Sequence, residues 1–318
     1  PEARYEQTGK LWVSVPGAGG AHSWQPQSYS PTTGLMYLPA NNAGFPYVAK
    51  RDWKPSPLGF QTGLDSAATA LPAIQAVRDS TMAATTGALV AWDPVRKKEA
   101  WRVNYKGPWN GGTLATAGNL VFQGTATEQF AAYSADTGKQ LWSFPTQTGI
   151  IAAPMTYAVD GQQYVAVVAG WGGVWDIAPG LLAAKSGFPR NVSRVMVFKL
   201  GGTAKLPPVP PLNKLVLDPP AFTGTAAQAA HGADVYGRYC SVCHGDAAIA
   251  GALNPDLRRS GALGSAEAFE QIVIGGVLHE RGMISWKAAL TPDDAEAVRQ
   301  YVIKRANEDK ALETKGKA

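Results

Sequence analysis

The chain carries only two cysteines, and they stand three positions apart immediately ahead of a histidine, in the run Cys240-Ser-Val-Cys243-His244. Two thiols at that separation add to the vinyl groups of a haem, and the adjacent imidazole reaches the iron from the near side. The segment must therefore form a turn that lies against the macrocycle. No other cysteine competes for these thiols, so a disulfide framework is excluded. A four-ligand zinc site would need distant partners, and a redox disulfide between the two is the remaining alternative. The run reads as covalent attachment of one haem c at Cys240 and Cys243, with His244 as an axial iron ligand.

A low-spin electron carrier needs a sixth ligand from the far side. Arg281-Gly-Met283-Ile-Ser-Trp286 supplies a methionine further along the chain, ahead of the last helix-prone stretch. Met283 is the expected ligand and His279 its rival; the other four methionines read as core filler. His/Met ligation raises the reduction potential relative to histidine alone, which suits accepting electrons from a quinol and passing them onward. Between the ligands lies Asn254-Pro-Asp-Leu257, where Pro255 is expected to brace the haem edge.

The 318 residues suffice for two domains, and a 45% hydrophobic composition fits a globular protein with a sizeable core. The text changes character along the chain. Residues 1–201 hold short β-prone runs such as Gly34-Leu-Met-Tyr-Leu38, Gln163-Tyr-Val-Ala-Val-Val168 and Val195-Met-Val-Phe-Lys-Leu200, bounded by Gly, Pro, Asn and Asp, and read as all-β. Ala91-Trp-Asp-Pro-Val-Arg-Lys-Lys-Glu-Ala-Trp101 lines up with Ala132-Tyr-Ser-Ala-Asp-Thr-Gly-Lys-Gln-Leu-Trp142, so the same Ala-to-Trp interval opens at position 91 and again at position 132. That period suggests propeller blades, with Trp101 and Trp142 as wedges between neighbours. Two hairpins that merely share a turn-and-Trp pattern inside an ordinary sandwich are the plainer alternative. Residues 202–224 are a Pro-rich linker that cannot continue a sheet interior. Residues 225–318 read as helical, with segments at Thr225–Tyr239, Ala266–Ile274 and Thr291–Ala306, the last opening on Thr-Pro-Asp-Asp as an N-cap with proline at the first helical position.

Net charge is +5, but no run of basic residues interleaved with aromatics marks a nucleic-acid surface, so none is expected. The charge divides into +6 on residues 1–224, from 18 basic and 12 acidic side chains, and −1 on 225–318, from 11 and 12. A nearly neutral cytochrome end steers a partner only weakly. No apolar run long enough to cross a bilayer and no leader pattern is visible, so no transmembrane segment is expected. Covalent haem attachment takes place outside the cytoplasm, so the gene product is expected to be periplasmic, with its export signal removed or lying upstream in a longer protein.

Four strings in order carry a resemblance: the Ala-to-Trp repeats, Ala21-His-Ser-Trp-Gln25, Pro108-Trp-Asn-Gly-Gly-Thr-Leu-Ala-Thr116 and Gly170-Trp-Gly-Gly-Val174. With the Pro-rich linker and the cytochrome end, essentially the whole chain resembles the soluble quinohaemoprotein branch of the pyrroloquinoline quinone-dependent alcohol dehydrogenases. The resemblance implies part of an eight-bladed β-propeller followed by an all-α cytochrome c domain, a mostly β plus α fold. It implies hydride transfer from an alcohol carbon to the quinone, electron transfer to haem c, and delivery to an external acceptor such as a small redox protein or a quinone.

By resemblance, Ser23 and Trp24 match an Asn-Trp pair that reaches the quinone, Trp109 and Asn110 sit beneath its plane, and Val174 contacts it near the axis. Ser23 departs from the usual Asn and weakens that contact. For Trp24 and Trp109, packing between blades is the structural alternative. The family's catalytic Asp, its Ca²⁺ ligands and its adjacent-cysteine disulfide are not found here. Residues 1–201 have room for about four blades, so the chain is expected to be a C-terminal portion without turnover of its own. A different reading is a cytochrome fused to a non-catalytic β scaffold, which predicts haem without quinone.

Overall fold

The computed structural model of the chain describes residues 9–59, 61–173, 175, 177–186, 191–209, 211, 216–250 and 254–315. Three antiparallel meanders follow one another. The first sheet takes β2 (Ser28–Ser30), β3 (Leu35–Asn42), β5 (Thr86–Asp93) and β6 (Lys98–Tyr105) in that order. The second takes β7 (Thr113–Thr116), β8 (Leu120–Gly124), β9 (Gln129–Ser134) and β10 (Gln140–Pro145). The third has β11 (Met155–Val159), β12 (Gln162–Ala169) and β13 (Arg194–Phe198). A small two-stranded sheet pairs β1 (Trp12–Ser14) with β4 (Phe45–Tyr47). The expectation of about four blades thus becomes, among the described residues, three blade-like sheets and one two-stranded ribbon.

The sequence repeat has a direct structural meaning. Ala91 sits opposite Trp101 across the β5–β6 pair, and Ala132 opposite Trp142 across β9–β10. A small residue facing a tryptophan leaves room for the indole to lean towards the next sheet. Trp101 reaches across to the second sheet, where its Nε1 donates to the Ala135 carbonyl at 3.1 Å. The hydroxyl of fully buried Tyr37 donates to the same carbonyl at 2.8 Å, filling its second lone pair. Around this point Leu35, Tyr37, Leu89 and Ala91 of the first sheet interlock with Val121, Ala131, Tyr133 and Ala135 of the second. Trp142 packs edge-on against Phe198 of the third sheet, with ring centroids 5.3 Å apart. Both tryptophans are wedges between neighbouring sheets, as blade stacking requires.

The opposite face of the third sheet has no neighbour among the described residues. Met155, Tyr157, Val159, Val168, Val195 and Val197 are exposed there, and by register Met155, Ala166 and Val197 share that face.

Residues 1–201 are not all-β. Between β4 and β5 the chain forms α1 (Ser66–Thr69) and α2 (Gln75–Ala84), and a 3₁₀ stretch covers Gly180–Ser186. These pieces meet the helical domain, and the polar helix α2 buries Arg78 in an ion pair with Asp309 of that domain.

The helical part holds α3 (Ala226–Tyr239), α4 (Ser241–His244), α5 (Ala266–Val273) and α6 (Pro292–Lys315). Thr225 caps α3 by accepting from the Gln228 N–H at 3.1 Å. Thr291 Oγ1 accepts from Asp294 N at 3.2 Å while Asp294 Oδ2 accepts from Thr291 N at 2.9 Å, a reciprocal cap at the start of α6. That helix continues beyond the expected end at Ala306, as far as Lys315. α3 and α6 cross at Gly232, where an added Cβ would lie 1.9 Å from the Ala297 carbonyl oxygen; no larger residue permits that approach. Their core collects Tyr236, Cys240, Leu263, Phe269, Val298, Val302 and Ile303. The described part of 202–224 holds neither helix nor strand, and its Pro220 carbonyl accepts from Asn307 Nδ2 at 2.9 Å. No helix among the described residues is long and apolar enough to cross a membrane.

Candidate functional site

The haem-attachment run begins where α3 ends. Cys240 is the C-cap of α3 and belongs to the domain core, whereas Cys243, one turn on, is exposed. Burial, reinforced by the Cys243 sulfur, pushes the Cys240 thiol up to about 12, so it stays protonated until it reacts. His244 closes the turn. Its Nδ1–H donates to the Pro255 carbonyl at 3.1 Å, and Asn254 Nδ2 donates to the Cys243 carbonyl at 2.6 Å. Pro255 thus acts through its carbonyl on the histidine. Burial lowers the His244 imidazole below the ordinary histidine value, opposed by that hydrogen bond. A neutral ring with its Nδ1 proton held by a backbone oxygen leaves Nε2 free for a metal, the usual pattern for an axial histidine. This donor set fits a c-type haem.

Met283 follows the left-handed Gly282 and packs, partly buried, against the same core cluster that contains Cys240. His279 is exposed in the preceding turn. The fold therefore brings Met283 and the cysteine turn into one domain core and leaves His279 on the surface.

The second cluster lies on the loops that link the sheets. The connection from β6 back to β7 carries Trp109 and Asn110. Trp109 adopts φ 65°, is 4% exposed, and donates its backbone N–H to Asn41 Oδ1 at 2.8 Å. Its ring stacks on Trp175 with centroids 5.4 Å apart and planes at 18°. Trp171, Ile151 and Ala126 complete this group. Trp109 is not wedged between sheets, as Trp101 is; it belongs to an aromatic cluster on the loops. The Asn110 amide holds the loop, Nδ2 donating to the Gly107 carbonyl at 3.0 Å and Oδ1 accepting from the Ala126 N–H at 3.0 Å.

Asn41 ties the Ser23–Trp24 segment to this cluster, because its own N–H donates to the Ala21 carbonyl at 2.7 Å. Trp24 is 56% exposed. Val174 lies outside the described residues.

Sequence reasoning missed three members: Asn41, the bridge; Trp175, one residue beyond the glycine-rich string; and Gln25. Gln25 is 1% exposed, and neither its Oε1 nor its Nε2 has a hydrogen-bond partner. Trp109 Nε1 and Trp171 Nε1 are likewise buried and unpaired. Gln25 sits beside the same loop, since the Pro26 carbonyl accepts from the Thr113 N–H, three positions past Asn110, at 2.9 Å. Buried polar groups with unmet hydrogen bonds, together with a broad aromatic face, suit a flat polar cofactor such as a quinone. Among the described residues no group of three or more His, Cys, Asp or Glu side chains that could hold a metal ion comes together.

Comparison with known proteins agrees with both halves. The family described as PQQ glucose/ethanol/alcohol dehydrogenase, β-propeller domain, matches residues 4–165. Residues 227–302 match the family described as cytochrome c oxidase, cbb3-type, subunit III. The chain is 42% identical over 309 residues to the dehydrogenase subunit of the quinone alcohol dehydrogenase of Acetobacter aceti, covering 97% of this chain and 42% of that protein. It is 45% identical over 318 residues to the quinohemoprotein alcohol dehydrogenase ADH IIB of Pseudomonas putida, covering 97% of this chain and 43% of the relative. The solved structure of ADHIIG from Pseudomonas putida HK5 superposes with a TM-score of 0.85 at 40% identity, over 96% of this chain and 44% of that one. The chain spans less than half the length of these relatives. Its two halves, in this order and at this similarity, place it: the chain belongs to the pyrroloquinoline quinone-dependent quinohaemoprotein alcohol dehydrogenase family.

Proposed function

We propose that this chain is the electron-delivering portion of an enzyme that oxidises alcohols with pyrroloquinoline quinone and passes the electrons through a covalent haem c to an external acceptor. The observation that carries the reading is the pair of unmet buried indole N–H groups, Trp109 Nε1 and Trp171 Nε1, in the cluster built on the Trp109–Trp175 stack, with the unpaired Gln25 amide on the segment bonded to the Trp109 loop. Each such group costs roughly 1–3 kcal/mol when left without a partner, a cost that a bound polar ring removes. When bound, the quinone supplies a two-electron acceptor for hydride from the alcohol carbon, and the haem supplies a one-electron outlet.

Trp109 offers the aromatic floor, held by the Asn41 side chain and the Asn110 amide. Ser23 and Trp24 approach from the segment that Asn41 anchors. Cys240 and Cys243 would hold the haem, with His244 and Met283 as the ligands to its iron, which would supply the one-electron outlet. The catalytic base and Ca²⁺ ligands are assigned to the propeller half outside this chain, and the location is the periplasm, where c-type haem is attached. Primary alcohols are the proposed substrates, and a small redox protein or a quinone the acceptor.

Mixing the oxidised full-length protein with a primary alcohol, with no external acceptor, is expected to turn the haem ferrous in its absorbance spectrum. Haem that stays ferric in protein containing quinone overturns the reading and leaves a cytochrome on a β scaffold.

A further inference from the structure

Asp246 lies two positions past His244 and touches the propeller part in two ways. Its backbone N–H donates to the Ala178 carbonyl at 2.9 Å, and its Oδ2 accepts from the Leu71 N–H at 3.1 Å. Gly180 packs so closely on it that an added Cβ would lie 2.6 Å from the Asp246 carbonyl oxygen. Ala178 stands three positions beyond Trp175, the ring stacked on Trp109. A continuous run of bonds thus joins the tryptophan stack to the axial histidine: the backbone from Trp175 to Ala178, one hydrogen bond, and the backbone from Asp246 to His244. Electrons tunnel more readily through covalent and hydrogen bonds than across van der Waals gaps, so this seam is a privileged connection between the two sites.

We infer that the Asp246 N–H to Ala178 O hydrogen bond is the hand-over point for electrons passing from the Trp109–Trp175 stack to the haem-attachment turn, and that the Asp246 carboxylate is a positioning group that holds it through Leu71. The inference rests on the proposed quinone site at Trp109. Each electron that crosses turns one ferric haem iron ferrous, and one proton leaves the reduced quinone for solvent. Two crossings, with the haem reoxidised by the external acceptor between them, restore the oxidised quinone.

Two variants of the full-length holoprotein separate the contributions. Asp246→Ala removes the carboxylate and keeps the N–H. Asp246→Pro removes both, at the first position of a short 3₁₀ turn, where proline is tolerated, and after Gly245, whose ψ of 159° is the extended value a following proline requires. After rapid mixing with alcohol, haem reduction is expected to be several-fold slower in Asp246→Pro than in Asp246→Ala. The haem spectrum, midpoint potential and rate of reduction by dithionite should be the same in both. Equal alcohol-driven rates in the two variants overturn the inference.

If Asp246→Pro does not fold, amide hydrogen exchange on the unaltered protein decides. Slow exchange at the Asp246 amide supports the bond, and exchange as fast as an exposed loop overturns it. Failure of alcohol to reduce the haem in the unaltered protein is a separate result that removes the quinone reading itself.

Discussion

Arg78 Nη2 lies 2.5 Å from Asp309 Oδ1, joining α2 of the propeller part to α6 of the cytochrome part. The second oxygen of Asp309 takes Arg258 Nη1 at 2.7 Å, and Arg305 Nη2 stands 3.9 Å from the first. Asp309 is 2% exposed, so this is one buried carboxylate among three guanidinium groups, with Asp256 balancing Arg258 at 2.5 Å. Around it, Lys50 pairs with Asp234, Arg238 Nη2 donates to the Lys54 carbonyl at 2.8 Å, and Arg305 Nη2 to the Leu71 carbonyl at 3.3 Å. The segment from Lys50 to Ala84 is therefore the dock on which the cytochrome sits.

Removing the shared carboxylate should cost more than removing one of its partners. Asp309→Ala leaves buried arginines uncompensated and is expected to destabilise the protein by about 3–5 kcal/mol. Arg78→Ala leaves Asp309 paired with Arg258 and should cost less. Denaturant midpoints of the two variants check the order; equal midpoints would mean that the cluster is not held as one unit.

The axial ligand is tested by paired substitutions. Met283→Ala should convert a six-coordinate haem to a high-spin or water-ligated form and lower its potential, while His279→Ala should leave the spectrum unchanged. Absorbance spectroscopy and a redox titration read both, and the reverse pattern would make His279 the ligand.

The wedge between the first two sheets gives a third expectation. Gly138, at φ +72°, turns the β9–β10 hairpin directly under the Trp101 ring, where an added Cβ would lie 2.6 Å from the indole. Gly138→Ala carries the left-handed backbone penalty of about 1–2 kcal/mol besides displacing that ring. Trp101→Ala opens a void in a half-buried position and loses the bond to Ala135, for a cost of about 3 kcal/mol. Thermal or denaturant unfolding should place both below the unaltered protein.

Acid stability has an identifiable contributor in Asp294. Burial alone would raise its carboxyl, but the Thr291 N–H and hydroxyl and the His231 ring hold it below the ordinary aspartate value. A carboxylate depressed in the folded state contributes stability that is complete above its unfolded pKa and is lost as pH falls through the lower folded value. Asp294→Asn should therefore flatten the acid limb of stability against pH below the ordinary aspartate range. An unchanged acid limb would assign that dependence to other groups.

What could be read from the sequence follows from how local each signal is. The Ala91–Trp101 and Ala132–Trp142 repeat encodes a cross-strand pair, so the period of the text is the period of the sheets. Thr291 announces the start of α6 because its cap is made within four positions. The cysteine turn is equally local. The dock was not legible: Arg78 sits in a polar helix, and Asp309 in a charged helical tail, each resembling a solvated surface until its partner 231 positions away is known. Trp175 adjoins and Gln25 ends a string that carries the family resemblance, yet nothing in their spacing tells that one stacks on Trp109 and the other is buried without a hydrogen-bond partner. The end of α6 escaped because its last turns are held by ion pairs, such as Arg259 with Glu313 at 3.1 Å, rather than by an apolar stripe.

The most direct test is mass spectrometry with absorbance spectra on the full-length gene product, purified from a host that makes both c-type haem and pyrroloquinoline quinone. The account predicts haem mass retained on the peptide that contains Cys240 and Cys243, together with one extractable quinone per chain. Haem retained without any quinone would contradict the alcohol dehydrogenase function, and loss of haem to acidified solvent would contradict the covalent attachment on which the electron outlet depends.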